Sequence, residues 1–181
     1  MWPLQELLQT GIWHVTHPDR FEGIMNEGLK PEPNIPNTER WKTSRGPKFY
    51  PFVRKIGGVS LFDFRKFDPN IYCTTHPMSN WHQFVPHPKD WGGAVWICIN
   101  QAALGLRFLS ADEVVKRWDT TGNYRNTVMP RIECCCTGDI PISCFNSAFI
   151  TWNKGEEVHN IPLDPFSYHQ YQKVHKAWET R

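Results

Sequence analysis

Between Gly11 and Leu29 the apolar period changes from two residues to about four, which writes a strand running directly into a helix. Gly11 to Thr16 alternates. Ile12, His14 and Thr16 fall on one face of the strand and Trp13 and Val15 on the other. Pro18 suits the first position of a helix, Phe21, Ile24 and Met25 give that helix an apolar stripe, and Gly28 is a natural stop. Pro18 also disfavours the helical region at His17, so His17 is extended and the rings of His14 and His17 point to opposite faces. A chelating pair needs both rings on one side, so these two histidines are not a metal site. Read alone, His14 is either a hydrogen-bonded histidine at a strand end or part of a ligand site. His17 is a bystander at the helix entrance.

The segment from Lys30 to Pro51 carries five prolines and reads as one long loop. It holds Arg40, Lys42, Arg45 and Lys48, followed by Arg54 and Lys55, with Trp41 among them. Such bases read either as a solvated loop or as a track for a phosphate backbone, on which Trp41 stacks a base.

Downstream, Gly57 to Phe64 ("GGVSLFDF") reads as a strand, and "SNWHQFV" as a short helical segment capped by Ser79. Gly92 to Asn100 ("GGAVWICIN") is a buried strand, and "SADEVVKRW" a helix capped by Ser110. "TVMPRIECCCTGDIPI" is expected to run as a strand, a Gly-Asp turn and a new strand. On that strand Arg131, Glu133 and Cys135 share one face, and Ile132, Cys134 and Cys136 the other. Glu133 is then either a surface residue of an edge strand or a carboxylate looking into a cleft. Tyr168, Tyr171, Val174, His175 and Trp178 mark one face of a closing helix. Strands alternate with helices at gaps too irregular for a doubly wound sheet. A single α+β domain over 1–181 with largely antiparallel sheets is expected.

Composition removes several classes. At 181 residues with 40% apolar and 14% aromatic content, the chain can bury a core and is not disordered. It has no internal repeat, GxGxxG, P-loop or HExxH. No apolar run reaches the length of a membrane span, and the N-terminus does not read as a signal peptide. A net charge of +2 demands no dominant basic field, though a local patch fits. Of six cysteines, Cys134, Cys135 and Cys136 are adjacent, which suits neither a disulfide framework nor a metal knuckle. Zinc through Cys136 and Cys144 is disfavoured. Buried thiols in a reducing cytosol are expected, with no metal.

Three stretches in order resemble the motifs of the ADP-ribosyltransferase superfamily. "WHVT" leading into "RFEGIMNEGL" is similar to its first motif, a His-x-Thr strand feeding a helix that ends in Gly-Leu. "GGVSLFDF" is similar to its glycine-led second strand. "RIECCCTGDIPI" is similar to its third, a strand bearing one catalytic glutamate before a Gly-x-Ile-Pro turn. The closest flavour is the group holding poly-ADP-ribose polymerases and the DarT-like toxins that modify DNA.

The resemblance implies two small, mostly antiparallel sheets forming an NAD cleft, flanked by helices. It implies NAD as co-substrate and release of nicotinamide. By the same carry-over, His14 bonds the ribose hydroxyls, the backbone at Val15 and Thr16 clamps the nicotinamide amide, and Ser60 stands where polymerases place a tyrosine. Tyr72 is similar to the aromatic that stacks on nicotinamide, and Glu133 to the catalytic glutamate. Arg131 stands where branches that modify protein arginines carry Gln or Glu, which favours a nucleic-acid acceptor, DNA or RNA, over protein. Arg45, Arg54 and Arg131 are the candidate substrate-binding arginines. A toxin, effector or defence enzyme of the cytoplasm is implied, with an antitoxin or hydrolase as its counterpart. An RNA 2′-phosphotransferase-like enzyme and a non-catalytic binding module are the alternatives on that fold.

Overall fold

The computed structural model describes residues 3–40, 46–163, 172 and 176. Seven strands, β1 (Ile12–Thr16), β2 (Gly58–Asp63), β3 (Gly93–Ile99), β4 (Phe108–Leu109), β5 (Glu133–Thr137), β6 (Phe145–Lys154) and β7 (Glu157–Leu163), form one open sheet. Its order is β4-β5-β2-β1-β3-β6-β7 and every neighbouring pair is antiparallel. The helices are α1 (Pro3–Leu8), α2 (Phe21–Glu27), α3 (Phe52–Lys55), α4 (Pro69–Thr75), α5 (Gln101–Leu104) and α6 (Ala111–Thr121). The mixed α+β class and the antiparallel pairing agree with the sequence. The strands are hydrogen-bonded into a single sheet, where two were expected.

Alternation along the strands sorts the core into two layers. Ile12, Leu61, Ile97 and Ile150 face Phe21 of α2 with Ile24 and Met25 packed against them. Trp13, Phe62, Trp96 and Phe149 face the other way, onto Leu4 and Leu8 of α1 and Tyr72 of α4. Cys135 joins Phe52 and Val53 of α3 and Val114 of α6 in a third cluster. All seven residues of β3 are buried, as a central strand covered on both faces requires.

The strand-to-helix entry forms as its period predicts. His17 is extended (φ −65°, ψ 141°), and Pro18 opens a 3₁₀ turn, Pro18–Arg20, that runs into α2. His17 Nδ1 accepts from the Asp19 amide at 3.2 Å, so the ring caps the turn. Gly28 ends α2 with φ 77°, and a Cβ there would stand 2.5 Å from Ile140 O, so only glycine fits. That close approach lets Leu29 and Ile140 exchange backbone bonds of 2.8 and 2.9 Å, tying the helix exit to the chain after β5. Ser110 caps α6 with a full capping box: its Oγ accepts from the Glu113 amide and Glu113 reaches back to the Ser110 amide.

Three expectations need correction. Ser79 caps nothing; the segment is a 3₁₀ turn, Trp81–Gln83, led by Asn80, and Ser79 Oγ bonds the Tyr72 hydroxyl at 3.0 Å. The strand expected from Thr127 begins only at Glu133, because Pro130 has no amide to pair and Arg131 is left-handed at φ 67°. Arg131 therefore shares no strand face with Glu133 and Cys135. The closing helix of Tyr168, Tyr171, Val174, His175 and Trp178 lies outside the described residues. Cys134, Cys135 and Cys136 are buried on β5 as free thiols. Among the described residues no helix is long and apolar enough to cross a membrane.

Candidate functional site

The site starts from a weakness in the sheet. β1 pairs with β3 at five positions and β2 pairs with β5 at five, but β1 and β2 pair only at Ile12↔Asp63 and Trp13↔Phe62. Past Trp13 the two central strands part. A cavity of about 570 Å³ opens at the parting, within the range that holds a small ligand or cofactor. His14, Val15 and Thr16 of β1, Val59, Ser60 and Phe62 of β2, and Glu133 of β5 all line it.

His14 holds the gap open. Its Nδ1 bonds Ser60 O at 3.0 Å, and a carbonyl oxygen only accepts, so Nδ1 carries the hydrogen. In the neutral ring Nε2 is then an acceptor, on a side chain that lines the cavity. Burial is the largest influence on this ring and, with Arg20 nearby, outweighs the Ser60 bond, so the pKa falls from 6.5 to about 4. His14 is neutral at physiological pH and offers a lone pair to a hydroxyl.

The same shift makes stability pH-dependent. The folded pKa lies below the unfolded value, so the unfolded chain takes up the proton first as pH falls. The contribution of neutral His14 is complete above pH 6.5 and is lost between 6.5 and about 4. Melting temperature followed from pH 7.5 to 4.5 is expected to fall less for His14→Gln, whose amide keeps a donor for Ser60 O, than for the wild type. Equal slopes would sink this assignment.

Glu133 opens β5 and is only 2% exposed. Ser60 Oγ donates to its Oε1 at 2.9 Å and the Met129 amide to its Oε2 at 2.9 Å. The Glu133 amide in turn donates to Met129 O at 2.9 Å, so the turn before β5 closes on the carboxylate that follows it. Phe62 and Phe84 line the cavity beside it. A buried carboxylate set by two donors in an apolar surround is suited to stabilise positive charge that develops near it.

The other end of the cavity is basic. Arg20, Arg40 and Arg54 all line it, with Lys30. Arg20 donates to Glu39 O and lies 5.8 Å from the Trp91 ring centre. Arg40 donates to Pro33 O and to Glu32 Oε2. Arg54 lies on the Tyr50 ring at 3.8 Å and bonds Glu32 and Asn37. The cavity is therefore polar along its length, with a carboxylate at one end, a neutral imidazole between, and guanidinium groups at the other.

Of the residues expected at a site, His14, Val15, Thr16, Ser60, Glu133 and Arg54 meet in this cavity. Tyr72 does not line it. Its ring is buried in the core on α4, its hydroxyl donates to Pro130 O at 2.7 Å, and burial pushes its pKa up to about 12. Its link to the site is through the Pro130 turn that leads into Glu133. Arg131 stands exposed on that same turn, outside the cavity lining. Arg45, with Trp41 and Lys42, lies outside the described residues. Sequence reasoning missed Arg20, Glu32 and the Met129 amide. Arg20 had a signal, a basic residue in the first turn after a strand-helix junction; the backbone donor had none. Among the described residues no three His, Cys, Asp or Glu side chains gather as a metal site. Comparison with protein-family models, with curated proteins and with solved structures gives no match to this chain.

Proposed function

We propose that this chain has an ADP-ribosyltransferase-like fold and is an NAD-dependent ADP-ribosyltransferase. It moves ADP-ribose from NAD to a macromolecule, nucleic acid before protein, and releases nicotinamide. The observation that carries this is the charge order of one cavity. The buried Glu133 carboxylate and the Ser60 hydroxyl lie at one end, neutral His14 in the strand gap, and Arg20, Arg40 and Arg54 at the other end. NAD has the complementary order: a cationic nicotinamide-ribose, hydroxyls, then a pyrophosphate.

Breaking the nicotinamide–ribose bond sends its electron pair to the ring nitrogen and leaves oxocarbenium charge on the ribose, as in glycoside cleavage. Glu133 opposes that charge, and its carboxylate is held in advance by Ser60 and the Met129 amide, so little reorganisation is needed. His14 Nε2 accepts from a ribose hydroxyl. The acceptor nucleophile then bonds to the ribose carbon and gives up its proton. Exposed Arg131 beside the turn supports a phosphate-bearing acceptor. A cytoplasmic toxin or defence role with an antitoxin or hydrolase counterpart follows from this reading.

Incubation with NAD labelled in its adenylate half, beside separate pools of DNA, RNA and protein, tests the proposal. Nicotinamide release with label in a nucleic-acid pool is expected. Folded protein that releases no nicotinamide and labels no pool would remove the enzyme reading and leave a binding module. The cluster of arginines favours one rival, an RNA 2′-phosphotransferase-like enzyme, which depends on arginines in place of a single glutamate.

A further inference from the structure

Glu32 sits between two of the arginines at the basic end of the cavity. Its Oε1 accepts from Arg54 Nε at 2.9 Å, and its Oε2 from Arg54 Nη2 at 3.0 Å and from Arg40 Nη1 at 2.7 Å. The burial is one-sided: the arginine side chains are 12% and 14% exposed, and Glu32 is 60% exposed. The two guanidinium groups hold the carboxyl far below the usual range, at about 2.

Two buried cations need a counter-anion, since an unpaired buried charge is strongly unfavourable. The anion they have carries one charge, faces solvent and leaves a donor unmet. Arg54 Nη1 is buried with no hydrogen-bond partner among the described residues. Arg54 is fixed by the Tyr50 ring and by Asn37 Oδ1, so the orphaned donor does not swing out to water. The neighbouring Pro31, Pro33 and Ile35 form cavity wall, so the segment bearing Glu32 is part of the site.

The geometry points to Glu32 as a selectivity residue: an internal carboxylate that occupies the Arg40–Arg54 seat and yields it only to a ligand bearing a pyrophosphate. This rests on the reading of the cavity as an NAD site and adds a filter to it. A pyrophosphate brings a second charge and further acceptor oxygens for the orphaned Arg54 donor. A phosphate-free nucleoside has nothing to exchange for Glu32 and gains nothing at this end.

The test is binding to the full chain, wild type and Glu32→Gln, measured by calorimetry with NAD, inorganic pyrophosphate and nicotinamide riboside. If Glu32 fills the seat in about nine molecules of ten, emptying it tightens NAD and pyrophosphate roughly tenfold and leaves the riboside unchanged. Glu32→Asp keeps the charge but is too short to bridge both arginines, and an intermediate gain is expected from it. Unchanged or weaker pyrophosphate binding in both variants would overturn the proposal and leave Glu32 as a strap on the cavity wall. An equal gain for the riboside would overturn it as general loosening, and pyrophosphate that binds no form of the protein would remove the seat. The pyrophosphate measurement needs no turnover. Tightening without nicotinamide release from NAD would therefore keep the filter and reject the transferase reading.

Discussion

Glu133→Gln is expected to slow nicotinamide release by about 10²–10³-fold while leaving NAD affinity within a few-fold of wild type. The charge is what matters. The carboxylate acts on positive charge present mainly in the transition state, so its loss appears in turnover and little in binding. Glutamine is a fair probe because its surroundings accept it. Its carbonyl takes the Met129 amide, and the Ser60 hydroxyl, now facing the amide nitrogen, turns from donor to acceptor. Asparagine, one methylene shorter, reaches neither partner well and tests less cleanly. Single-turnover release with labelled NAD, read beside calorimetric binding, separates the two quantities. A variant with undiminished release would take Glu133 out of the chemistry and favour the arginine-dependent phosphotransferase. A variant that neither releases nicotinamide nor binds NAD would report a damaged cavity.

The largest effect on stability is expected at Trp13. It is 1% exposed, its indole Nε1 donates to Leu8 O at 2.9 Å, and its ring meets Phe149 edge-on at 5.1 Å. Trp13 thereby joins α1 to the sheet at one of the two positions where β1 and β2 pair. Trp13→Ala leaves a cavity the size of an indole and is expected to cost about 3–5 kcal/mol, a large share of the roughly 5–15 kcal/mol that holds an ordinary domain. Trp13→Phe keeps most of the ring contact but leaves the Leu8 carbonyl unpaired, at a cost of about 1–3 kcal/mol. Urea unfolding should place both midpoints below wild type in that order with similar slopes. Equal midpoints for the alanine variant and the wild type would mean that the packing around β1 is not what holds the fold.

Legibility followed the range of the forces. The β1–α2 entry was readable because alternation, Pro18 and Gly28 act within a few residues of themselves. The α6 cap was readable because Ser110 and Glu113 are neighbours in the chain. β7 was not, because its residues are mostly exposed on both faces and carry no alternation. Tyr72 was read as a free aromatic although Asp68 and Pro69 ahead of it announce a helix: Asp68 caps the Asn70 and Ile71 amides, and α4 turns the ring into the core. Arg131 was read as strand by extending a pattern through Pro130. At the site, His14, Ser60 and Glu133 were named from motif resemblance, but nothing in the motifs spoke of the contacts between them. Ser60 and Glu133 are 73 positions apart, and Glu32 lies 22 positions from Arg54 in a proline-rich loop with no period. Pairings of that kind depend on where loops are carried and leave no local trace.

The two-pair junction between β1 and β2 also has a mechanical meaning. From Trp13 to Thr16 a strand extends roughly 10 Å, so a tilt of about 10° between the central strands moves the cavity rim by about 2 Å. The junction is a short fulcrum with long arms. Side-chain volume at Trp13 and Phe62, buried and remote from any bound ligand's phosphates, thus sets the aperture at the rim, and modest repacking there would retune which acceptors reach the ribose without touching a residue that binds it.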